Sequence, residues 1–176
     1  MTPPGFQSEQ AVQLARAFAE EAVDYLFIGK GAAILLGFPF VTQDIDVFAD
    51  RTPENGRRIV RALNKVGFAL GTDLEQALIA GNDFVQIKTG PFDLDVIFAP
   101  DGISSFAEAK ARAIVLEGFR IANLRDIIAR QRASGREKDF LDLEYLERFR
   151  QEYERRHAPD IRTAAEIALG RLKSPR

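Results

Sequence analysis

Two short segments constrain this chain more than any others: DIDVF at residues 44–48 and DLDVIF at residues 93–98. Each alternates a carboxylate with an apolar side chain. In a strand successive side chains leave opposite faces, so Asp44 and Asp46 share one face, as do Asp93 and Asp95. Like charges held that close repel, and a cation between them relieves the repulsion, so a divalent metal at Asp44 and Asp46 is the first expectation. The competing reading is that alternate aspartates only mark a water-facing side of a strand. Two such strands, with a glycine turn upstream, weigh against it. If they lie side by side, up to four carboxylates meet. Three suffice to hold two divalent ions in the arrangement that clamps the attacking and leaving oxygens of phosphoryl transfer.

The first aspartate pair belongs to a longer unit, residues 26–48, reading LFIGKGAAILLGFPFVTQDIDVF. It combines an apolar run, the Gly29-Lys30-Gly31 turn, a helix expected over 32–36 and ended by Gly37 and Pro39, a loop, and a second apolar run. The turn is not a P-loop, because no glycine precedes it at the required spacing and no Ser or Thr follows Lys30.

Composition narrows the chemistry. The chain of 176 residues has no cysteine and one histidine. Disulfides, thiolate catalysis, cysteine-based zinc sites and histidine-based triads are therefore excluded. A metal must be held by oxygen, which points to magnesium, manganese or calcium. A net charge of −2 provides no global field to recruit nucleic acid, although a local basic patch such as Arg130, Arg132, Arg136 and Lys138 could hold phosphates. No stretch approaches the ~20 apolar residues needed to span a bilayer, and the N-terminus lacks the pattern of a signal peptide. A cytoplasmic location without membrane contact is expected.

Along the chain, Val12, Leu14, Ala15, Phe18 and Val23 fall at helical spacing and set a helix over 8–21 with these on its inner stripe. A buried strand over 25–28 and a second strand over 45–48 carrying the aspartates follow. Thr52 and Pro53 open a helix that Gly67 ends. A short edge strand is expected over 68–70 and a helix over 73–80, followed by a hairpin of 83–88 with 92–98 turning at Thr89-Gly90-Pro91. A helix over 105–112 precedes a second hairpin, 113–116 with 119–121, turning at Glu117-Gly118. Asn123 caps a helix to about 133, a charged helix runs from 137 to about 156, and a last amphipathic helix covers 160–172. The fold class expected is α/β: a mixed sheet flanked by helices with a C-terminal helical extension. The domains expected are a core over 1–122 and a helical extension over 123–176 packed on it.

The arrangement resembles the nucleotidyltransferase fold of the DNA polymerase beta superfamily. That signature has an apolar strand, a Gly-Gly or Gly-Ser turn opening a helix, D-x-D on the next strand, and a third aspartate on a later one. Here these are Gly29-Lys30, Asp44-Ile45-Asp46, and Asp95 followed by Val96-Ile97-Phe98. The resemblance favours Asp95 over Asp93 as third ligand, because the family places an apolar run directly after that carboxylate. Thr42-Gln43-Asp44-Ile45-Asp46 resembles the T-x-D-I-D form of small bacterial members of the abortive-infection toxin type. Gly135-Arg136-Glu137-Lys138-Asp139 with Asp142-Leu143 resembles the run that follows their core.

The resemblance, which covers roughly residues 24–146, implies transfer of a nucleoside monophosphate from an NTP to an acceptor, whether RNA, protein or small molecule. Catalytic and metal-binding roles would fall to Asp44, Asp46 and Asp95 with Mg2+ or Mn2+. Nucleotide binding would fall to Gly29, Lys30, Gly31, Thr42, Arg136, Lys138 and Asp139. A partner protein of a toxin–antitoxin pair is also implied. The alternative is a catalytically inactive, nucleotide-binding relative. Three positions depart from the family pattern: Lys30 replaces the second Gly or Ser of the turn, Phe40 replaces an arginine, and Gln131 replaces a lysine. Lys30 either supplies a cation to the triphosphate, where free helical N–H groups already favour anions, or obstructs the nucleotide.

Overall fold

The structure, a computed structural model, describes residues 8–135 and 137–157. In chain order the elements are α1 (Ser8–Glu20), β1 (Tyr25–Ile28), α2 (Gly29–Leu35), β2 (Asp44–Ala49), α3 (Pro53–Val66), α4 (Thr72–Ala80), β3 (Phe84–Ile87) and β4 (Asp93–Ile97). They continue with α5 (Phe106–Ala111), β5 (Ile114–Leu116), β6 (Phe119–Ile121), α6 (Leu124–Ala133) and α7 (Glu137–His157). The expected helix over 160–172 lies outside the described residues.

The six strands form one mixed sheet in the order β3-β4-β2-β1-β6-β5. β2 runs antiparallel to β1 but parallel to β4, and the register sets Asp44 beside Asp93 and Asp46 beside Asp95. Strand alternation then separates two unlike faces. Ile45, Val47, Leu94, Val96, Val85 and Ile87 are buried on one of them. The other carries the aspartates, with Ile28 opposite Asp46 and Gln86 opposite Asp95.

Local chemistry explains most boundaries. Thr52 accepts from the Asn55 amide at 3.1 Å and Pro53 occupies the first helical position, so α3 begins there. Buried Asn55 then pins the sheet end to α3: its Oδ1 accepts from the Asp24 amide at 2.8 Å, and its Nδ2 donates to the carbonyls of Asp24 and Asp50 at 3.0 and 2.9 Å. Ser105 and Asn123 cap α5 and α6 through their side-chain oxygens. α7 lies along α6, tied by Arg125 to Glu154 at 2.8 Å and Arg132 to Glu147 at 3.0 Å. An aromatic row fastens the loop before β2 to α7, with Phe38 stacked on Phe40 at 4.4 Å and Phe40 against Tyr145 at 5.4 Å.

Three expectations need correction. The Gly29-Lys30-Gly31 turn is itself the first turn of α2 rather than a lead-in to a helix starting at Ala32. Residues 68–70 form no strand: Phe68 is buried edge-on to Phe92 at 5.1 Å, and this segment's contact with the hairpin includes one backbone hydrogen bond, Ala69 N to Thr89 O at 3.2 Å. Val12, counted in the inner stripe of α1, is 41% exposed, while Ala11, Leu14 and Phe18 carry the buried face.

Candidate active site

The parallel pairing of β2 with β4 builds the site. It sets Asp46 directly beside Asp95, with the two carboxyl groups close enough to interact. Two carboxyls at that separation resist ionising together, which favours a proton on one of them. Burial, reinforced by the Asp95 and Asp44 charges and opposed by Arg130, pushes the Asp46 carboxyl up to about 7. Burial first, then the Asp44 charge, raise Asp95 as well, against hydrogen bonds from Asp46 and Gln86 and the attraction of Arg130.

Gly29 explains how β1 can close over this pair. Its φ is +78°, a conformation L side chains rarely adopt, and a Cβ there would lie 3.2 Å from Asp46 Cγ and closer still to Oδ2. The bare backbone of the β1–α2 junction therefore touches the inner carboxylate. The position is glycine for two independent reasons.

A cavity of about 290 Å³ opens beside the pair. Asp44, Asp46 and Asp95 all face it, with Gly29, Lys30 and Thr42 at one end and Gln86 and Phe84 at the other. α6 contributes Arg130, whose Nη1 lies 3.7 Å from Asp46 Oδ2 with its own side chain only 15% exposed. α7 contributes Asp142, which accepts an ion pair from Lys30. Gln131 also lines the cavity, and among the described residues its buried Oε1 has no hydrogen-bond partner.

The expected residues divide as follows. Asp44, Asp46, Asp95, Gly29, Lys30 and Thr42 come together around one cavity. Asp93 does not line it, although it stands beside Asp44 in the ladder. Gly31 is buried and is not part of the lining. Arg136 and the side chains of Lys138 and Asp139 lie outside the described residues. Of the basic cluster, Arg130 turns to the aspartates while Arg132 pairs with Glu147.

Sequence reasoning did not place Asp142, Gln86 or Phe84 in the site. Alternation along β3 could have put Gln86 and Phe84 on the aspartate face, given the hairpin register. Nothing local in α7 announces that Asp142 meets Lys30.

The donor set suits a hard divalent cation: oxygen ligands only, on one face of the sheet. Among the described residues no group of three or more acidic, histidine or cysteine side chains is drawn together as a complete metal cage. A metal would have to displace the proton on the Asp46–Asp95 pair and draw Asp44 inward.

No family model matches this chain, and no curated protein matches it. Among solved structures it is similar to JHP933 from Helicobacter pylori, with a TM-score of 0.50 and 16% identity over 83% of this chain. The chain spans 66% of that protein's length. It is also similar to a "putative nucleotidyltransferase from H. pylori", with a TM-score of 0.46 and 16% identity over 95% of this chain and 82% of that one. At 16% identity the likeness to JHP933 shows the fold alone. The six-stranded mixed sheet flanked by helices and followed by a C-terminal helix is the α/β architecture expected from the motifs. No helix among the described residues is long and apolar enough to cross a membrane.

Proposed function

We propose that this chain transfers a nucleoside monophosphate from an NTP to an acceptor hydroxyl in a magnesium- or manganese-dependent reaction. The observation that carries this reading is the Asp46–Asp95 pair, close-set and half enclosed, beside a glycine that admits no side chain. A sheet has no structural need to force two carboxylates into contact under such a junction, and the arrangement makes sense where a cation and a phosphate must be held there.

Asp44, Asp46 and Asp95 would hold the metal, whose charge would offset that of the phosphate oxygens. Lys30 and Arg130 border the phosphates with fixed positive charge. Asp95 takes the proton of the acceptor hydroxyl as its oxygen bonds to the α-phosphorus, while the bond to pyrophosphate breaks. Catalysis of this kind is positioning and electrostatics without a covalent enzyme intermediate.

A second reading draws on the Arg130–Asp46 contact at 3.7 Å. An internal cation already faces the acidic pair, as in a module that binds nucleotide without turning it over. Labelled-NTP transfer and pyrophosphate release separate the two. Magnesium-dependent release that disappears in Asp46→Asn supports the transferase, whereas NTP binding without release supports the module. Full activity in Asp46→Asn would sink the proposed role of the pair.

A further inference from the structure

The acidic cavity is not alone on its side of the sheet. A second cavity of about 410 Å³ adjoins it, and the two share Phe84 and Arg130 as a common wall. Sheet register explains why Phe84 stands there. Along β3, Val85 and Ile87 are buried while Phe84 and Gln86 leave the opposite face, Gln86 beside Asp95 and Phe84 beside Ile97. Phe84 therefore projects from the carboxylate face one strand further out, half exposed. An exposed phenylalanine means little by itself. This one forms the ridge between two cavities.

The rest of the second cavity suits a flat ring. Buried Ile97 and Pro100 supply apolar surface. The 99–102 loop is held against α6 by Gly102, where a Cβ would meet the Ala129 carbonyl oxygen at 2.6 Å. Asp83 and Asp101 stand at the rim, Asp83 accepting from Arg51 at 2.5 Å. Rim carboxylates accept from ring amino groups, Asp101 adds negative charge that disfavours a phosphate, and Arg130 is already turned to Asp46. A neutral ring with N–H donors fits these walls better than a nucleotide does.

Direction follows from the chemistry proposed above, on which this step rests. In-line displacement places the attacking and leaving oxygens on opposite sides of the phosphorus. Gly29 and Lys30 lie at one end of the acidic cavity, and Asp95 and Gln86 lie toward β3. With the leaving phosphates at the Lys30 end, an acceptor must arrive over Asp95 from the side where the second cavity lies. We infer that the second cavity is the acceptor subsite and takes a nucleoside, its ring stacked on Phe84 and its hydroxyl turned toward Asp95.

The chain has no tryptophan, so Phe84→Trp introduces a single fluorescent reporter at the wall. Titration with phosphate-free adenosine, guanosine, cytidine and uridine, in EDTA and again with saturating magnesium and a non-hydrolysable NTP, tests the assignment. Saturable quenching by at least one nucleoside is expected, with its midpoint shifted less than threefold by the bound analogue. Ala99→Arg, which fills the cavity from an exposed loop position, should abolish the quenching and leave the magnesium–NTP melting shift intact. Linear quenching that matches free N-acetyltryptophanamide would overturn the subsite, and so would quenching that survives Ala99→Arg. One-for-one displacement of nucleoside by the analogue would overturn the acceptor assignment, because the ring site would then belong to the donor. A parent chain that shows no magnesium–NTP melting shift while the reporter saturates would overturn the transferase reading and leave the ring site standing.

Discussion

Two rungs of one ladder, Asp44 beside Asp93 and Asp46 beside Asp95, are made of the same residues in the same register. Their surroundings differ completely. The inner rung has Gly29 backbone pressed on Asp46, Arg130 at 3.7 Å, and Gln86 hydrogen-bonded to Asp95. In the outer rung Asp44 is exposed and Asp93 does not line the cavity. A D-x-D strand thus supplies two carboxylates with one orientation but two levels of burial. The tertiary neighbours, rather than the residue types, decide which rung is enclosed.

The most direct way to break this comparison is to neutralise each rung in turn. Asp46→Asn and Asp95→Asn are each expected to lower NTP-dependent pyrophosphate release by about 10²–10³-fold, while Asp93→Asn should remain within about threefold of the parent. Equal losses from Asp93→Asn and Asp95→Asn would mean that burial does not separate the rungs.

The glycine above the inner rung provides the next largest effect. Gly29→Ala adds a Cβ against Asp46 and strains a φ of +78°, and should cost about 2–4 kcal/mol of stability. For a chain of this size that is a fall in Tm of roughly 5–15 °C. Gly67 is the control: its φ is +108°, but nothing lies within 4 Å of its absent Cβ. Gly67→Ala should lose only the backbone contribution, about 1 kcal/mol. Similar losses at both positions would show that contact with Asp46 adds nothing.

The proton on the inner rung makes stability depend on pH in a definite direction. The Asp46 carboxyl is raised from 3.8 to about 7. Between those values the folded chain keeps a proton that the unfolded chain has lost, so stability falls as pH rises through that window. Asp46→Asn is neutral at every pH. It should match the parent within about 0.5 kcal/mol at pH 4 and exceed it by about 4 kcal/mol at pH 8, as measured by denaturant unfolding. A divalent ion must displace the same proton, so stabilisation by magnesium should be larger at pH 8 than at pH 6. A difference between the variant and the parent that is independent of pH would rule out that proton.

Much of this was legible in the sequence because it depends on short-range rules. Period-two alternation located Asp44, Asp46 and Asp95 on strands. Thr52, Pro53 and Gly67 bounded a helix by capping chemistry, and Glu117-Gly118 marked a hairpin turn that the positive φ values of both residues bear out. What escaped depends on pairing at a distance. The parallel pairing of β2 with β4 joins strands whose aspartates are about fifty positions apart, and only that register decides that Asp46 meets Asp95 while Asp93 is left outside the cavity. Residues 68–70 read as a strand because they are apolar. A backbone hydrogen bond to Thr89 and the burial of Phe68 on Phe92 account for that apolarity without a ladder.

The least visible of the distant pairings, Lys30 with Asp142, gives the smallest and sharpest test of the comparison. Lys30 stands where the family pattern has a small residue, and the fold answers with a carboxylate from α7 rather than with open solvent. The two side chains are 28% and 17% exposed, so the pair should contribute under about 1 kcal/mol to stability in a double-mutant cycle. Its effect on ligand binding has the opposite sign. Asp142→Asn keeps the shape and removes the charge that competes with phosphate for Lys30, so magnesium–NTP affinity should rise about threefold, or about 0.7 kcal/mol. Lys30→Ala should lower it by a similar factor and cancel the gain in the double variant. Should Lys30→Ala instead strengthen NTP binding, Lys30 would be an obstruction, and the inner rung would be a catalytic constellation whose phosphate end is blocked.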